Sequence, residues 1–599
     1  MKVTKIIKEN EIFIVLFLLF ILTLQNVLSS YYLSPTADEL KHLTRGYVYL
    51  KTGDQRFNTV HPLLINSLNA VPLLFVKDIN LPSQPELLKS NNVIEFAREF
   101  FFHSGNDLER MFSLARITTF MLSIILGIFV YLWAKKLYGA LSGLFALFLY
   151  VTSPNIVAYS GLVTNDIGSA LFIFLSMYTL WLFYKNPLFK NLLLSGFVFG
   201  LALMSKYYAL HFIPAVIILL LIVYYSNKNK IIFYKFKNAK ISNLLNILLM
   251  IFIFFFASWL TLNIGYKFDG TFRSIEYNVM NDVGVDKAMY SSIIEKSASY
   301  IPIADKETSL KSVKYVTSNV PIMFPYHYVK GVLVLTDITL ERSNKQFYFF
   351  GKTFQKVPRY YYLIMFFLKV QIPMLIFLIL TIIFYRKIKK DYIDDLFLIV
   401  PALIFSILFS ISPVANGFRH FLPVLPLLTV FVSKSTNLKI KNQKLLDYAF
   451  IILILWFLII PIKIFPYYIP YYNEFIGMDN GYKVSIHVDV DWGQDLKLLK
   501  RFMDDKGIKH IGLSYFGQVY PEYYNISYTY LPSIVTHINM SSNDVEDCTP
   551  IKGVVAISIA NLEQPFLFKD EGCFEWLKGL EPIYRVGYTI YIFNVSQIK

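Results

Sequence analysis

Four short groups of ionisable residues stand at the ends of long apolar runs, where an uncompensated charge is costly and a retained one points to function. They are Asp38-Glu39 in SPTADELKHLTRGYVYLKTGD, Asn165-Asp166 in SPNIVAYSGLVTNDIG, Lys206 in GLALMSKYYAL and Arg419-His420 in SPVANGFRHFLPVLP. Each has an ordinary explanation when taken alone. Asp38-Glu39 would be a solvated acidic pair beyond a helix, Asn165-Asp166 a helix cap, Lys206 a snorkelling side chain, and Arg419-His420 an interfacial anchor. Taken together they supply carboxylates and cations suited to transfer from a lipid-linked phosphate. Cations would bind that phosphate and stabilise its charge as the glycosidic bond breaks. A carboxylate would accept the proton of an attacking hydroxyl and stabilise the cation-like anomeric carbon.

The elements that must position these groups are membrane helices. Of 599 residues, 55% are hydrophobic, 17% aromatic and only 16% charged, too little polar surface for several soluble domains. The formal charge of +16 sits in short basic clusters between apolar runs, which sets nucleic acid aside as a partner. Apolar runs near 11–30, 111–134, 140–158, 167–184, 191–205, 207–225, 242–266, 361–385, 395–412, 419–433 and 446–465 predict about eleven spans. Basic residues mark every second connection: Lys2, Lys5 and Lys8, Lys135-Lys136, Lys185 and Lys190, Lys228–Lys240, Arg386–Lys390 and Lys434–Lys444. By the positive-inside rule the N-terminus is inside and the C-terminus outside. The first run lacks a convincing small-residue cleavage site and reads as a retained span rather than a signal peptide.

Two outside loops, 31–110 and 267–360, are too long to be mere connectors. Within the first, His61 to Phe75 suits a helix lying in the membrane interface. The segment 1–469 thus reads as a membrane domain, and 470–599 as a separate water-soluble one in which acidic residues outnumber basic ones. In that tail Gln494–Lys506 predicts an amphipathic helix, and Ile511–Phe516, Gly553–Ile559 and Tyr584–Phe593 predict strands of an α/β domain. Cys548 and Cys573 both lie there, as a disulfide or as two independent small hydrophobes. So do three Asn-X-Ser sequons, at Asn525, Asn539 and Asn594.

The order of motifs resembles the GT-C glycosyltransferases, specifically the family 39-type group of protein O-mannosyltransferases and the lipid A aminoarabinose transferase. The residues that carry it are Asp38-Glu39, Gly53-Asp54, His61-Pro62-Leu63, Arg116, Leu137-Tyr138-Gly139 and Ser153-Pro154. Asn165-Asp166, Ser205-Lys206-Tyr207 and Arg419-His420 with Leu422-Pro423 continue the order. Asp489–Asp495 (DVDWGQD) and Tyr515-Phe516-Gly517 look like the soluble domain of a prokaryotic branch. The resemblance implies a polytopic α-helical membrane protein with a GT-C-like bundle and a C-terminal extracytoplasmic α/β domain. It implies inverting transfer of a monosaccharide from a polyprenyl-phosphate donor to an acceptor hydroxyl at the outer face of the cell membrane. Asp38 matches the essential acidic residue and would act as base, Glu39 would assist, and Asp166 matches the second acidic position. Lys206, Arg419 and His420 correspond to positions near the carrier phosphate, and His61 to the interfacial helix. His-Pro-Leu stands where the group often has His-Pro-Pro, and no MIR-type repeat is present.

The acceptor can be protein, lipid or glycan on this reading, and the carrier dolichyl or undecaprenyl phosphate, since the Lys, Ile, Asn and Tyr bias suggests an AT-rich prokaryotic genome. Asp491-Trp492-Gly493 is not the Trp-Trp-Asp motif of an oligosaccharyltransferase. A transporter or flippase for polyprenyl-linked lipid or glycan is the alternative, although such proteins usually place polar groups at the midplane in paired repeats. No phosphate loop or metal-ligand spacing is present. Some members of the group use a divalent cation and others do not, so metal dependence is open.

Overall fold

The computed structural model describes residues 9–84, 86–87, 91–282, 291, 294–295, 306–343, 345–388, 392–534, 548–568, 572–577 and 579–596. Lys2, Lys5, Lys8, Lys389, Lys390 and the sequon at Asn539 lie outside these residues. The chain packs as two compact units, one made of 1–41, 108–170 and 344–599, the other of 42–107 and 171–343.

Among the described residues seven helices are long and apolar enough to cross a membrane, and nine if each of two bent pairs counts as one span. The seven agree with predicted runs: Glu11–Tyr32, Leu108–Tyr138, Asp166–Lys185, Tyr207–Asn227, Ala239–Gly265, Tyr392–Ser410 and Gln443–Ile464. Four other predicted spans come out differently. The run 140–158 is Ala140–Val151 followed by Pro154–Ser160 at 63°, and 361–385 is Tyr361–Lys369 followed by Ile372–Ile383 at 109°. In both, an extended residue (Ser153, Gln371) precedes a proline in the first turn of the second helix. Proline's missing N–H costs nothing there, so the chain restarts in a new direction. The runs 191–205 and 419–433 yield helices of only 15 and 10 residues, Phe189–Leu203 and Val424–Ser433, the latter because Phe418–Phe421 forms a tight 3₁₀ turn instead. Leu63–Phe75 is the short apolar helix expected after His61.

Lys434, counted above among the basic connections, is not solvated. It is fully buried in the first unit and paired with Asp395 at 2.5 Å, and Asp395 also accepts hydrogen bonds from Tyr138 and Tyr385. Burial without a partner would cost several kcal/mol, so the pair forms where the sequence suggests a free lysine.

In the first unit the tail builds an α/β layer. Helix Leu496–Asp505 buries Leu496, Leu499, Phe502 and Met503 along one face. Counting the hairpin β1 (Phe347–Phe349) and β2 (Lys352–Phe354), the tail strands are β3 (Ile511–Ser514), β4 (Tyr528–Tyr530), β5 (Gly553–Ser558), β6 (Tyr584–Val586) and β7 (Ile590–Val595). Their order is β4-β3-β5-β7-β6, with β3 parallel to β4 and β5, and β7 antiparallel to β5 and β6. The predicted strand Tyr584–Phe593 is therefore a tight hairpin, and β4 is an additional edge strand. Cys548 and Cys573 are disulfide-bonded, and Cys573 packs in the sheet core with Val555, Ile557 and Phe593.

Candidate functional site

In the first unit the chain leaves helix Glu11–Tyr32 at the extended Leu33 and runs beside the tail segment DVDWGQD. Ser34 N–H donates to the Gln494 carbonyl at 2.9 Å and Ala37 N–H to the Trp492 carbonyl at 3.0 Å. The Ser34 hydroxyl adds a bond to Gln494 O at 2.8 Å. These bonds fix the approach to Asp38 and Glu39.

The two acidic neighbours differ sharply. Glu39 is fully buried and receives four hydrogen bonds: Arg116 Nε and Nη2 at 3.1 Å each, Val163 N–H at 2.9 Å and Thr36 N–H at 2.7 Å. A carboxylate so saturated has no lone pair left for a substrate proton, so Glu39 ties three segments together and positions Asp38. Asp38 is partly open. Its Oδ2 accepts from Arg419 Nη1 at 3.0 Å and its Oδ1 from Lys41 at 2.7 Å, with 23% of its side chain and 14% of the arginine's exposed.

Arg419 is aimed by several contacts. Its guanidinium lies over the Trp492 ring, 4.5 Å from the centroid, and Nε donates to the Asn416 carbonyl at 3.2 Å. Gly417 before it takes φ of +79°, a conformation favourable to glycine, which brings Phe418 N–H onto Asp489 Oδ1 at 2.8 Å. Asp489 is held in turn by Tyr361 at 3.0 Å and Ser485 at 3.1 Å. Gly493 likewise has φ of +79°, and a side chain there would meet the Gly517 backbone at 2.5 Å. Asp166 is buried as the first residue of its helix, where the helix dipole favours a negative charge. Arg419 feels the fields of both Asp38 and Asp166. His420 packs against Phe409 at 5.9 Å.

The remaining predicted residues belong to the second unit. His61 packs against His42 with ring centroids 4.8 Å apart, and His42 Nδ1 is 2.8 Å from Asn66 Oδ1. Lys206 is buried with its ammonium over the Tyr208 ring at 4.7 Å. Tyr207, Tyr266 and Tyr328 form an aromatic cluster beside Leu63 and Met204. The same unit holds a polar cavity of about 700 Å³ lined by Arg56, Asp269, Arg273, Asp282 and His327. His327 bonds Asp269 at 2.6 Å and holds its carboxyl below the usual range.

Two further acids of DVDWGQD are buried in the tail. Burial pushes the Asp491 carboxyl up to about 8, against bonds from Gly493 and Ala560 N–H. It pushes Asp495 up to about 6, against bonds from Thr589 and Tyr588. Among the described residues no group of three or more His, Cys, Asp or Glu is placed to hold a metal ion.

Sequence reasoning missed the Trp492 platform and the structural use of Glu39. It also missed Lys369, which is fully buried and donates to the carbonyls of Asp489 at 2.8 Å and Ile469 at 3.1 Å. A lysine inside the apolar run 361–385 was the available signal.

Residues 108–259 match the family described as dolichyl-phosphate-mannose-protein mannosyltransferase. The matched stretch, about a quarter of the chain, contains Arg116, Asn165-Asp166 and Ser205-Lys206-Tyr207, three of the groups that carry the resemblance to GT-C glycosyltransferases. Among solved structures the chain is similar to ArnT from Cupriavidus metallidurans bound to undecaprenyl phosphate, at 11% identity over 98% of each chain and a TM-score of 0.41. It is also similar to the Archaeoglobus fulgidus oligosaccharyltransferase in complex with zinc and sulfate, at 12% identity, 81% of this chain, 55% of that one and a TM-score of 0.37. The same enzyme tethered to an acceptor peptide gives 13%, 74%, 54% and 0.38. Scores this low carry no residue, ligand or reaction over to this chain. No curated protein matches it.

Proposed function

We propose that the protein transfers a monosaccharide from a polyprenyl-phosphate donor to an acceptor hydroxyl, with inversion, at the extracytoplasmic face of the cell membrane. The observation that carries this reading is the Asp38–Arg419 pair, partly open and backed by Trp492. When donor binds, Arg419 turns from Asp38 to the carrier phosphate and neutralises the charge that collects there. The acceptor oxygen then bonds to the anomeric carbon, the bond from that carbon to the phosphate oxygen breaks, the polyprenyl phosphate leaves with the electron pair, and Asp38 takes the hydroxyl proton. Asp166 helps hold Arg419 by charge, Glu39 positions Asp38, and Lys206, His61 and His420 serve substrate binding. The membrane domain 1–469 carries the reaction, and the domain 470–599 contributes Trp492 and the bonds that set the Asp38 loop.

The test is sugar release from a panel of radiolabelled polyprenyl-phosphate monosaccharides by purified protein in lipid, with crude membrane acceptors. Wild type should consume one donor, and Asp38→Asn should lose roughly 10²–10⁴-fold of that rate with unchanged expression. Full activity of Asp38→Asn would remove the base assignment. Absence of any donor consumption, with a polyprenyl phosphate still bound in native mass spectrometry, would favour a lipid transporter.

A further inference from the structure

The first unit contains a second cavity, of about 830 Å³, that the reaction above does not use. One wall is apolar and comes from two membrane helices: Val27 on Glu11–Tyr32, and Ile117, Phe120, Met121 and Ile124 on Leu108–Tyr138. Val27, Ile117 and Met121 are 49%, 47% and 58% exposed, so this wall is open to whatever surrounds the helices. The other end is capped by the tail helix, which presents Lys497, Lys500 and Arg501, with Arg116 beside them.

The balance of charge at that cap decides what it suits. Glu109 is the one carboxylate lining the cavity, against four cations. Both of its oxygens are taken, by Lys497 at 2.6 Å and by the Tyr524 hydroxyl. Arg116 is committed to Glu39, and Lys500 reaches Asp504 one turn along its own exposed helix face. Arg501 has no carboxylate partner among the described residues; its guanidinium rests over the Tyr31 and Tyr32 rings at 5.3 and 4.9 Å. An apolar groove along two membrane helices, ending under a cationic cap flanked by interfacial tyrosines, has the polarity of one anionic lipid molecule. The chain lies along the helices and the head group sits at the cap.

We infer that this groove is a binding site for an anionic phospholipid, with the acyl chain against Ile117 and Met121 and the phosphodiester on Arg501 and Lys500. The site ties the tail helix to the membrane helices through the lipid. It rests on the membrane-spanning character of those helices and is independent of the transferase reading.

The experiment uses the full chain in nanodiscs of equal phosphatidylglycerol and phosphatidylcholine, with the lipids retained on gentle release counted by native mass spectrometry. Wild type should retain phosphatidylglycerol in preference, and Arg501→Gln and Lys500→Gln should each lower that preference about fivefold. Met121→Trp, on the exposed wall, keeps every charge and should reduce retention of the same lipid by filling the groove. Exposed Lys314→Gln, in the second unit, is the control and should change nothing. Wild-type retention in both cation variants, or retention without head-group preference, would overturn the site. Displacement of the retained phosphatidylglycerol by added polyprenyl phosphate, lost in Arg501→Gln, would also overturn it and make the groove a path for the carrier instead.

Discussion

Asp395 with Lys434 and Asp38 with Arg419 are both carboxylate–cation pairs bordering apolar helices of the first unit, yet the first exposes nothing while the second leaves 23% and 14% of its side chains open. The closed pair is also complete. Tyr138 and Tyr385 occupy the Asp395 oxygens not fully used by Lys434, and the lysine ammonium lies 4.1 Å from the Tyr385 ring centroid. The open pair is held from behind, by Trp492 and Asn416 on the arginine side and Lys41 on the aspartate side. A pair enclosed on all sides has its energy in the fold, because removing one member strands the other in a medium that cannot solvate it. A pair supported on one side can exchange partners with a ligand.

The sharpest way to break that contrast is to remove the cation from each pair. Arg419→Gln should lower sugar transfer by roughly 10²–10³ while leaving the melting temperature near wild type. Lys434→Met should do the reverse, costing about 3–5 kcal/mol of stability in denaturant titration and leaving turnover per folded molecule unchanged. Replacing Asp395 by Leu in the same chain should recover most of that loss. A stable but inactive Lys434→Met would show that the closed pair acts in the reaction after all.

A smaller effect probes the support alone. Trp492→Phe keeps an apolar ring under Arg419 but weakens its attraction for the guanidinium, about 1 kcal/mol or some fivefold in transfer, read as a rise in donor KM. An unchanged KM would mean the indole serves packing only.

A separate effect concerns pH. Asp495 and Asp491 have carboxyls raised to about 6 and about 8 in the folded protein, from an ordinary value of 3.8. The folded chain thus holds protons that the unfolded chain has released. Their stabilisation is complete below about pH 4 and is lost as pH rises through 6 and then 8. Melting followed by tryptophan fluorescence should fall across that window, and Asp495→Asn should flatten its lower half. An identical slope in the variant would assign the dependence elsewhere.

Much of this was legible in the residues because charge stands out in an apolar chain. Asp38, Asp166, Arg419 and Lys206 were all visible as charges at the ends of long apolar runs. Seven helices long and apolar enough to cross a membrane agree with apolar runs read from the sequence. What stayed hidden was non-local. Nothing near Glu39 announces that Arg116 and Val163 will fill its oxygens, and nothing near Arg419 points to a ring at position 492. The bends at Ser153 and Gln371 lie between these extremes. Pro154 and Pro373 are in plain view, but an apolar run with a proline reads equally well as one kinked helix or as two.

The bonds from Ser34 and Ala37 to residues 492 and 494 also set an order in time. Asp38 leaves the ribosome more than four hundred residues before residues 492 and 494 exist. Throughout synthesis, the membrane part can insert and its helices can pair while the Asp38 loop still lacks its partner. A chain interrupted before residue 494 would therefore hold Asp38 without the bonds from Ser34 and Ala37 that set its approach.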